Sequence, residues 1–326
     1  MKSEDDIYVS VVIPSRNRPH LLKRCLESIY SQKNAPPFEV IVIDDFSVGY
    51  ETRKVVRSFG AKFKRLPKRM GQAHARNIGI ARSKGYIVAF IDDDCVALPD
   101  WLCNGTRPFE DGVIGGVEGI TTPHSDEKPT LFSNYIDNRK GGHWTTSNMF
   151  YRKDILINTG GFDISYKEPF FGQLFREDTY MAFRVLSSGF VIVFVNDCVV
   201  YHLRTENDYI KPLKDAVKHF IDPKLAKRFP ALFKKTGFRA LARGHYPYYI
   251  GLIFIIYALS IGKIYLCFFG IAGIMTSAIY STLKRSKGKE VRFFHTILLF
   301  TYELFIPLIR LFAVTLGYLR YGRIIA

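Results

Sequence analysis

The chain has 326 residues, of which 48% are hydrophobic and 15% aromatic, and a formal net charge of +16. That composition supplies a sizeable core and excludes an intrinsically disordered chain. The charge is lopsided: residues 1–203 hold 26 Lys/Arg against 24 Asp/Glu, whereas residues 204–326 hold 20 against 6.

Basic clusters in the second half flank long apolar runs, the arrangement of loops beside a membrane and not of a nucleic-acid surface. No nucleic-acid partner is expected. Cys25, Cys95, Cys103, Cys198 and Cys267 are odd in number and contain no C-x-x-C pair. They suit reduced thiols and a catalytic part in the cytoplasm, not a disulfide scaffold. Met1 to Tyr8 is acidic where an export signal carries a basic patch and an apolar run.

In chain order, Tyr8–Pro14 predicts a strand buried on both faces, and His20–Gln32 a helix with apolar residues at Leu21, Leu22, Cys25, Leu26 and Ile29. The pattern repeats with a strand at 38–43, a helix at 51–59, a short strand at 62–66, a helix at 71–83 and a strand at 86–91. Such alternation implies an α/β fold, a Rossmann-like, mostly parallel sheet flanked by helices. A strand at 113–120 follows, then a polar, aperiodic stretch to about Gly142 that suits a flexible loop, then 146–151. A helix is expected at 177–188, with two short strands at 190–195 and 198–202.

The chain therefore divides into a catalytic domain at 1–205, a basic amphipathic linker at 206–245 and membrane-associated helices at 246–326. Residues 246–283 carry Lys263 as their single charge, and a straight helix of that length would reach about 57 Å, against a hydrocarbon core of about 30 Å. A hairpin turning near Gly262-Lys263 resolves the excess and returns the chain to the cytoplasmic side, where Lys284, Arg285, Lys287, Lys289 and Arg292 cluster. A further helix at 293–319 bears a stripe at Thr296, Glu303, Arg310 and Gly317, seven residues apart. It either spans, packing the stripe on the hairpin, or lies in the interface.

Ligands of open α/β sheets bind beyond the carboxyl ends of the strands. Here those ends read Pro14-Ser15-Arg16-Asn17, Asp44-Asp45 and Asp92-Asp93-Asp94. Asp92 and Asp94, two apart on an extended segment, would leave one side of the chain and share Mg²⁺ or Mn²⁺. A solvated acidic turn is the alternative.

The ordered set of 10-SVVIPSRNR-18, 42-VIDDFS-47, 71-GQAHARNIG-79, 89-AFIDDD-94, 160-GGFD-163 and 176-REDTY-180 resembles family 2 glycosyltransferases of the GT-A fold over about 205 residues. The resemblance implies nucleotide-sugar contacts from Pro14, Arg16, Asp45, Arg76, Asp92 and Asp93, and a catalytic base at Asp178. It implies a metal held by Asp92, Asp94 and His202, and places Asn148 and Glu177 on the acceptor side. Trp144 either stacks on a sugar or packs the domain. Asp44, Arg76, Glu177, Asp178 and His202 also have structural explanations, Arg76 as a sheet-top ion pair and the acidic pair as a helix N-terminus. Arg176 stands where many relatives have glycine, and the Q-x-x-R-W sequence of processive synthases is missing.

The expected activity is a metal-dependent, inverting transfer of one sugar from a nucleotide-sugar donor to a glycan or polyprenyl-phosphate-linked acceptor. The expected place is the cytoplasmic face of the cell membrane, with membrane lipids as partners. A sugar nucleotidyltransferase would show a glycine-rich phosphate loop after the first strand, which Pro14-Ser15-Arg16-Asn17 is not. A non-catalytic membrane scaffold of the same fold would tolerate Asn at Asp94 or Asp178.

Overall fold

The computed structural model describes residues 7–124, 129–204, 207–237 and 241–322; the acidic start, residues 1–6, lies outside them. The chain forms two compact units. The first comprises Met1–Ser125, Tyr135–Tyr166 and Arg176–Thr205, and the second Asp126–Asn134, Lys167–Phe175 and Glu206–Ala326.

In the first unit the elements run β1 Val9–Ser15, α1 Pro19–Tyr30, β2 Phe38–Asp44, α2 Glu51–Ser58, β3 Lys62–Arg65, α3 Gln72–Arg82 and β4 Ile87–Phe90. Then come β5 Cys95–Ala97, α4 Trp101–Thr106, β6 Ile114–Pro123, β7 Met149–Arg152, α5 Lys153–Asn158, α6 Glu177–Ser187 and β8 Val191–His202. The eight strands form one sheet in the order β3-β2-β1-β4-β7-β6-β8-β5. All of β1 is buried, as its unbroken apolar run requires of a strand covered on both faces. Val11, Ile13, Leu22, Leu26, Val42, Ile87 and Phe150 belong to the core beneath it. Helix α3 lies close on β1: a Cβ at Gly79 would come 2.2 Å from Val12 Cγ1.

The sheet is mixed. It is parallel through β3, β2, β1 and β4, but β7 runs antiparallel to both β4 and β6, and β5 antiparallel to β8. The alternating strand-helix pattern ends after β4, and without a crossover helix there is no constraint to keep later strands parallel. The two short strands expected at 190–195 and 198–202 are one, β8, whose pairing with β6 jumps from Val195 to Val199. The intervening residues bulge while the strand continues. Within the stretch expected to be a loop, Asn138 bridges back to Thr121. The short elements β5, α4 and α5 had no periodic signal to announce them.

The second unit contains α7 Lys211–Val217, α8 Asp222–Arg228, α9 Pro230–Lys235, α10 Tyr246–Ser260, α11 Cys267–Ser286, α12 Phe293–Glu303 and α13 Ile306–Tyr321. The hairpin turns where expected, at Gly262 with φ +70°. Its arms meet on glycine: a Cβ at Gly251 would lie 2.4 Å from the Gly270 carbonyl oxygen, and one at Gly270 2.6 Å from that of Gly251. Small residues allow this close approach. Helix α10 has 15 residues, about 22 Å, short of a bilayer core. Among the described residues one helix, Ile264–Ser286, is long and apolar enough to cross a membrane.

The helix expected at 293–319 is broken instead: α12 and α13 meet at a 44° bend. Pro307, in the first turn of α13, has no N–H to continue the upstream ladder. The polar stripe packs inward in part. Glu303 is 1% exposed and pairs with Arg285 of α11 at 2.7 Å, Arg310 approaches His219 at 3.4 Å, and Gly317 lies against the Phe220 backbone.

Candidate active site

The carboxyl ends of β1, β2 and β4 deliver polar side chains to one edge of the first unit's sheet. After β4 the chain turns, with the Cys95 N–H donating to the Asp92 carbonyl at 3.1 Å. Asp92, Asp93 and Asp94 are therefore not on an extended segment, and the expectation that Asp92 and Asp94 leave one side of it does not hold. A turn rotates successive side chains away from the two-residue alternation of a strand.

The three carboxylates face different partners. Asp92 takes Arg76 Nη2 at 3.1 Å. Asp93 accepts from Ser15 Oγ at 2.7 Å and Arg18 Nη1 at 3.4 Å. Asp94 accepts from Arg18 Nη1 at 2.7 Å and lies 3.5 Å from His202 Nε2. Burial and the neighbouring Asp94 charge push the Asp93 carboxyl up to about 7, against the pull of Arg18 and Ser15. Burial raises Asp94 as well. Burial and mutual repulsion thus disfavour ionising all three carboxylates at once, a penalty a cation relieves.

His202, at the end of β8, is 4% exposed, and its Nδ1 sits 3.0 Å from the Leu203 carbonyl oxygen. In the tautomer with the proton on Nδ1, that contact is a hydrogen bond and Nε2 is available to ligate an ion shared with Asp94. Ligand atoms of Asp94, Cys95 and His202 all lie within 4.8 Å of one another; Asp92 is outside that group. Burial holds the Cys95 thiol well above its ordinary value, so the oxygen and imidazole donors are the ones suited to a hard or borderline ion such as Mg²⁺ or Mn²⁺. The residues present fit such an ion.

Arg76, on α3, is the hub of the edge. Its side chain is 2% exposed, and Nη1 reaches Asp178 Oδ1 at 3.4 Å and Glu177 Oε1 at 3.6 Å while Nη2 holds Asp92. Asp178 opens α6 and also accepts from the Thr146 N–H at 3.1 Å and Thr146 Oγ1 at 3.0 Å. Burial raises the Asp178 carboxyl, with Arg76 and Thr146 opposing. Burial and the Asp178 charge push Glu177 up to about 8.

On the nucleotide side, Asp45 receives Met70 N–H at 2.6 Å and Gly71 N–H at 3.0 Å, so it anchors the loop entering α3. Pro14 is buried within β1. Arg16, just beyond, has a buried Nε with no hydrogen-bond partner among the described residues. On the acceptor side, Asn148 is fully buried. Its amide is occupied by Trp101 Nε1 at 2.9 Å and the carbonyls of Ile120 and Cys198 at 2.8 and 3.0 Å. Trp144 is 8% exposed and packs edge-on against Phe183 at 5.5 Å, which decides between stacking on a sugar and packing the domain in favour of packing. Sequence reasoning gave no individual role to Arg18 or Thr146. Arg18 closes the first motif, two residues after Arg16, and Thr146 opens the acceptor-side motif Thr146-Ser147-Asn148-Met149; what the sequence could not show is that Thr146 bonds Asp178, 32 positions on.

Residues 10–176 match the family described as glycosyl transferase family 2. The chain is 26% identical over 211 residues to glycosyltransferase AglE of Haloferax volcanii, covering 60% of this chain and 66% of that one. It is 27% identical over 218 residues to an N-acetylglucosaminyltransferase of Mesorhizobium japonicum, covering 59% and 50%. The matched region thus spans between half and two thirds of these relatives' own lengths. A shorter match, 31% over 102 residues, is to an Escherichia coli UDP-Glc:alpha-D-GlcNAc-diphosphoundecaprenol beta-1,3-glucosyltransferase, covering 31% and 38%. Among solved structures, the mannosyltransferase PcManGT from Pyrobaculum calidifontis, in complex with GDP-Man and Mn²⁺, has a TM-score of 0.56 at 17% identity, covering 95% of this chain and 83% of that one. At that identity the likeness speaks for the fold alone, a GT-A sheet flanked by helices. Since the family match covers more than half of its length, the chain belongs to glycosyl transferase family 2.

Proposed function

We propose that the first unit transfers one sugar, with inversion, from a nucleotide-sugar donor to a glycan or polyprenyl-phosphate-linked acceptor at the cytoplasmic face of the cell membrane. The observation that carries this is the Arg76 guanidinium, which holds Asp92 of the strand-end turn and Asp178 of α6 from its two nitrogens, at 3.1 and 3.4 Å. A donor-side carboxylate and a carboxylate suited to act as base thereby face one point. The UDP-Glc donor and lipid-diphosphate acceptor in the name of the E. coli relative support the choice of substrates.

Asp178 takes the proton of the incoming hydroxyl; burial raises its proton affinity above that of an ordinary carboxylate, the direction a general base requires. Thr146 and Arg76 hold the carboxylate in place. Arg16, with its orphaned buried Nε, contacts the nucleotide, and Asp45 and Arg76 keep α3 and its entry loop in register with it. Asp94 and His202, with Asp92 beside them, would hold a divalent ion, which when bound offsets charge on the departing diphosphate. Glu177, protonated below about 8, limits repulsion around Asp178.

The test is release of UDP, GDP or dTDP from a panel of nucleotide sugars by the purified chain in Mn²⁺. Asp178→Asn should lower turnover by about 10²- to 10⁴-fold, the usual contribution of a positioned base. Release at the unaltered rate in that variant would end the assignment.

A further inference from the structure

An unassigned cavity lies wholly within the C-terminal unit. It has a volume of about 460 Å³, and its wall includes Asp215, Lys218, His245, Lys284, Arg285 and Arg310. The wall carries four permanent cations against one carboxylate, and that carboxylate is already occupied by Lys211 at 3.0 Å and Lys218 at 2.7 Å. Behind it, Glu303 pairs with Arg285 at 2.7 Å and Asp222 with His219 at 2.7 Å. With these included, five cations, Lys211, Lys218, Lys284, Arg285 and Arg310, stand against three carboxylates among the described residues.

His245 makes the cavity more than a charged patch. It is 5% exposed and its Nδ1 has no hydrogen-bond partner among the described residues, a cost the fold would not bear without return. Burial holds its imidazole down at about 4, with Arg310, Arg285 and His219 adding to the effect. A neutral imidazole donates a hydrogen bond to an anion without needing to be charged beforehand. Lys284 and Arg285 belong to the last turn of α11, the end of the one helix among the described residues that is by itself long and apolar enough to cross a bilayer. Cations placed there meet headgroups.

We infer that this cavity binds a phosphate-bearing anion of the mono- or diphosphate class, with Lys218, Lys284 and Arg310 supplying charge and His245 a directed donor. Two sources share that chemistry, a lipid headgroup and a free phosphate compound, and the full-length protein distinguishes them. Sedimentation with phosphatidylcholine vesicles, with and without phosphatidic acid, reads the first; a thermal shift with inorganic pyrophosphate reads the second.

The double variant Lys284→Gln/Arg310→Gln is compared with Lys287→Gln/Arg292→Gln, which removes equal charge from residues that do not line the cavity. We expect the cavity pair to weaken phosphatidate-vesicle binding at least tenfold more than the control pair, or to abolish a pyrophosphate shift that the control pair keeps. The first result names a lipid, the second a soluble phosphate. Pyrophosphate held by the nucleotide site would persist in both variants and so does not count. If the double variant fails to fold, the exposed Lys284→Gln alone, against Lys287→Gln, should still lose at least threefold. Equal losses in cavity and control variants with both probes overturn the inference. Neither readout requires sugar transfer, so failure here leaves the proposed activity untouched.

Discussion

Replacing Arg76 with methionine removes the one guanidinium shared by Asp92, Glu177 and Asp178, while keeping most of the side chain's apolar volume. The arginine is 2% exposed, and the three carboxylates are 16%, 8% and 21% exposed, so solvent screens the loss poorly. Removing one partner of a buried ion pair costs about 3–5 kcal/mol, because the remaining charge has no compensation. In a domain of about 200 residues each kcal/mol shifts Tm by roughly 2–4 °C, so the midpoint should fall by about 6–20 °C. Differential scanning fluorimetry of the purified protein measures it. Adding Glu177→Gln should change the midpoint little further below pH 8, since the carboxyl it replaces is already protonated there and the amide keeps its shape. A shift of under about 2 °C for Arg76→Met would refute the picture of Arg76 as an electrostatic hub holding Asp92 and Asp178.

Glu177 gives a pH signature. Its carboxyl is pushed up to about 8 in the folded chain from an ordinary value near 4.3, so the folded state binds the extra proton between those values and stability falls as pH rises through the window. Urea unfolding from pH 5 to 8 should show that slope, and Glu177→Gln should flatten it; an equal slope in both would exclude Glu177 as its source. His202→Ala should weaken Mn²⁺ binding by at least tenfold, the scale of changes even one shell further out, as read by titration calorimetry; unchanged affinity would remove His202 from the ligand set. Gly251→Leu places its Cβ 2.4 Å from the Gly270 carbonyl oxygen. It should destabilise the α10–α11 hairpin by about 1–3 kcal/mol, visible as faster proteolysis near Gly262, and wild-type resistance would show that the arms do not pack on glycine.

Patterns with a short period were legible. The β-branched runs that became β1 and β2 are buried on both faces, and their neighbours α1 and α3 appeared where apolar spacing placed them, because burial of one face is what periodicity records. The hairpin turn at Gly262 was equally readable, since a 38-residue apolar run cannot be one span. Where spacing carried no such constraint, the expectation failed: three carboxylates after β4 read as an extended run, but the backbone turns there, and the helix at 293–319 reads as continuous in its apolar content although Pro307 and a 44° bend divide it.

By itself the sequence determined the strand-helix order, the strand ends that carry Asp45, Asp92 and Asp94, and a basic, apolar tail. These depend on residues near each other along the chain. Only the tertiary structure decided that Arg76, which holds Asp92, also reaches Asp178, 102 positions after it, that Thr146 orients that carboxylate, that Asn148 and Trp144 are buried in packing, and that His245 meets Arg310 around a cavity. The physical reason is the same in each case. A buried charge or amide must find its partner in space, and no local pattern encodes which distant side chain folding will bring to it.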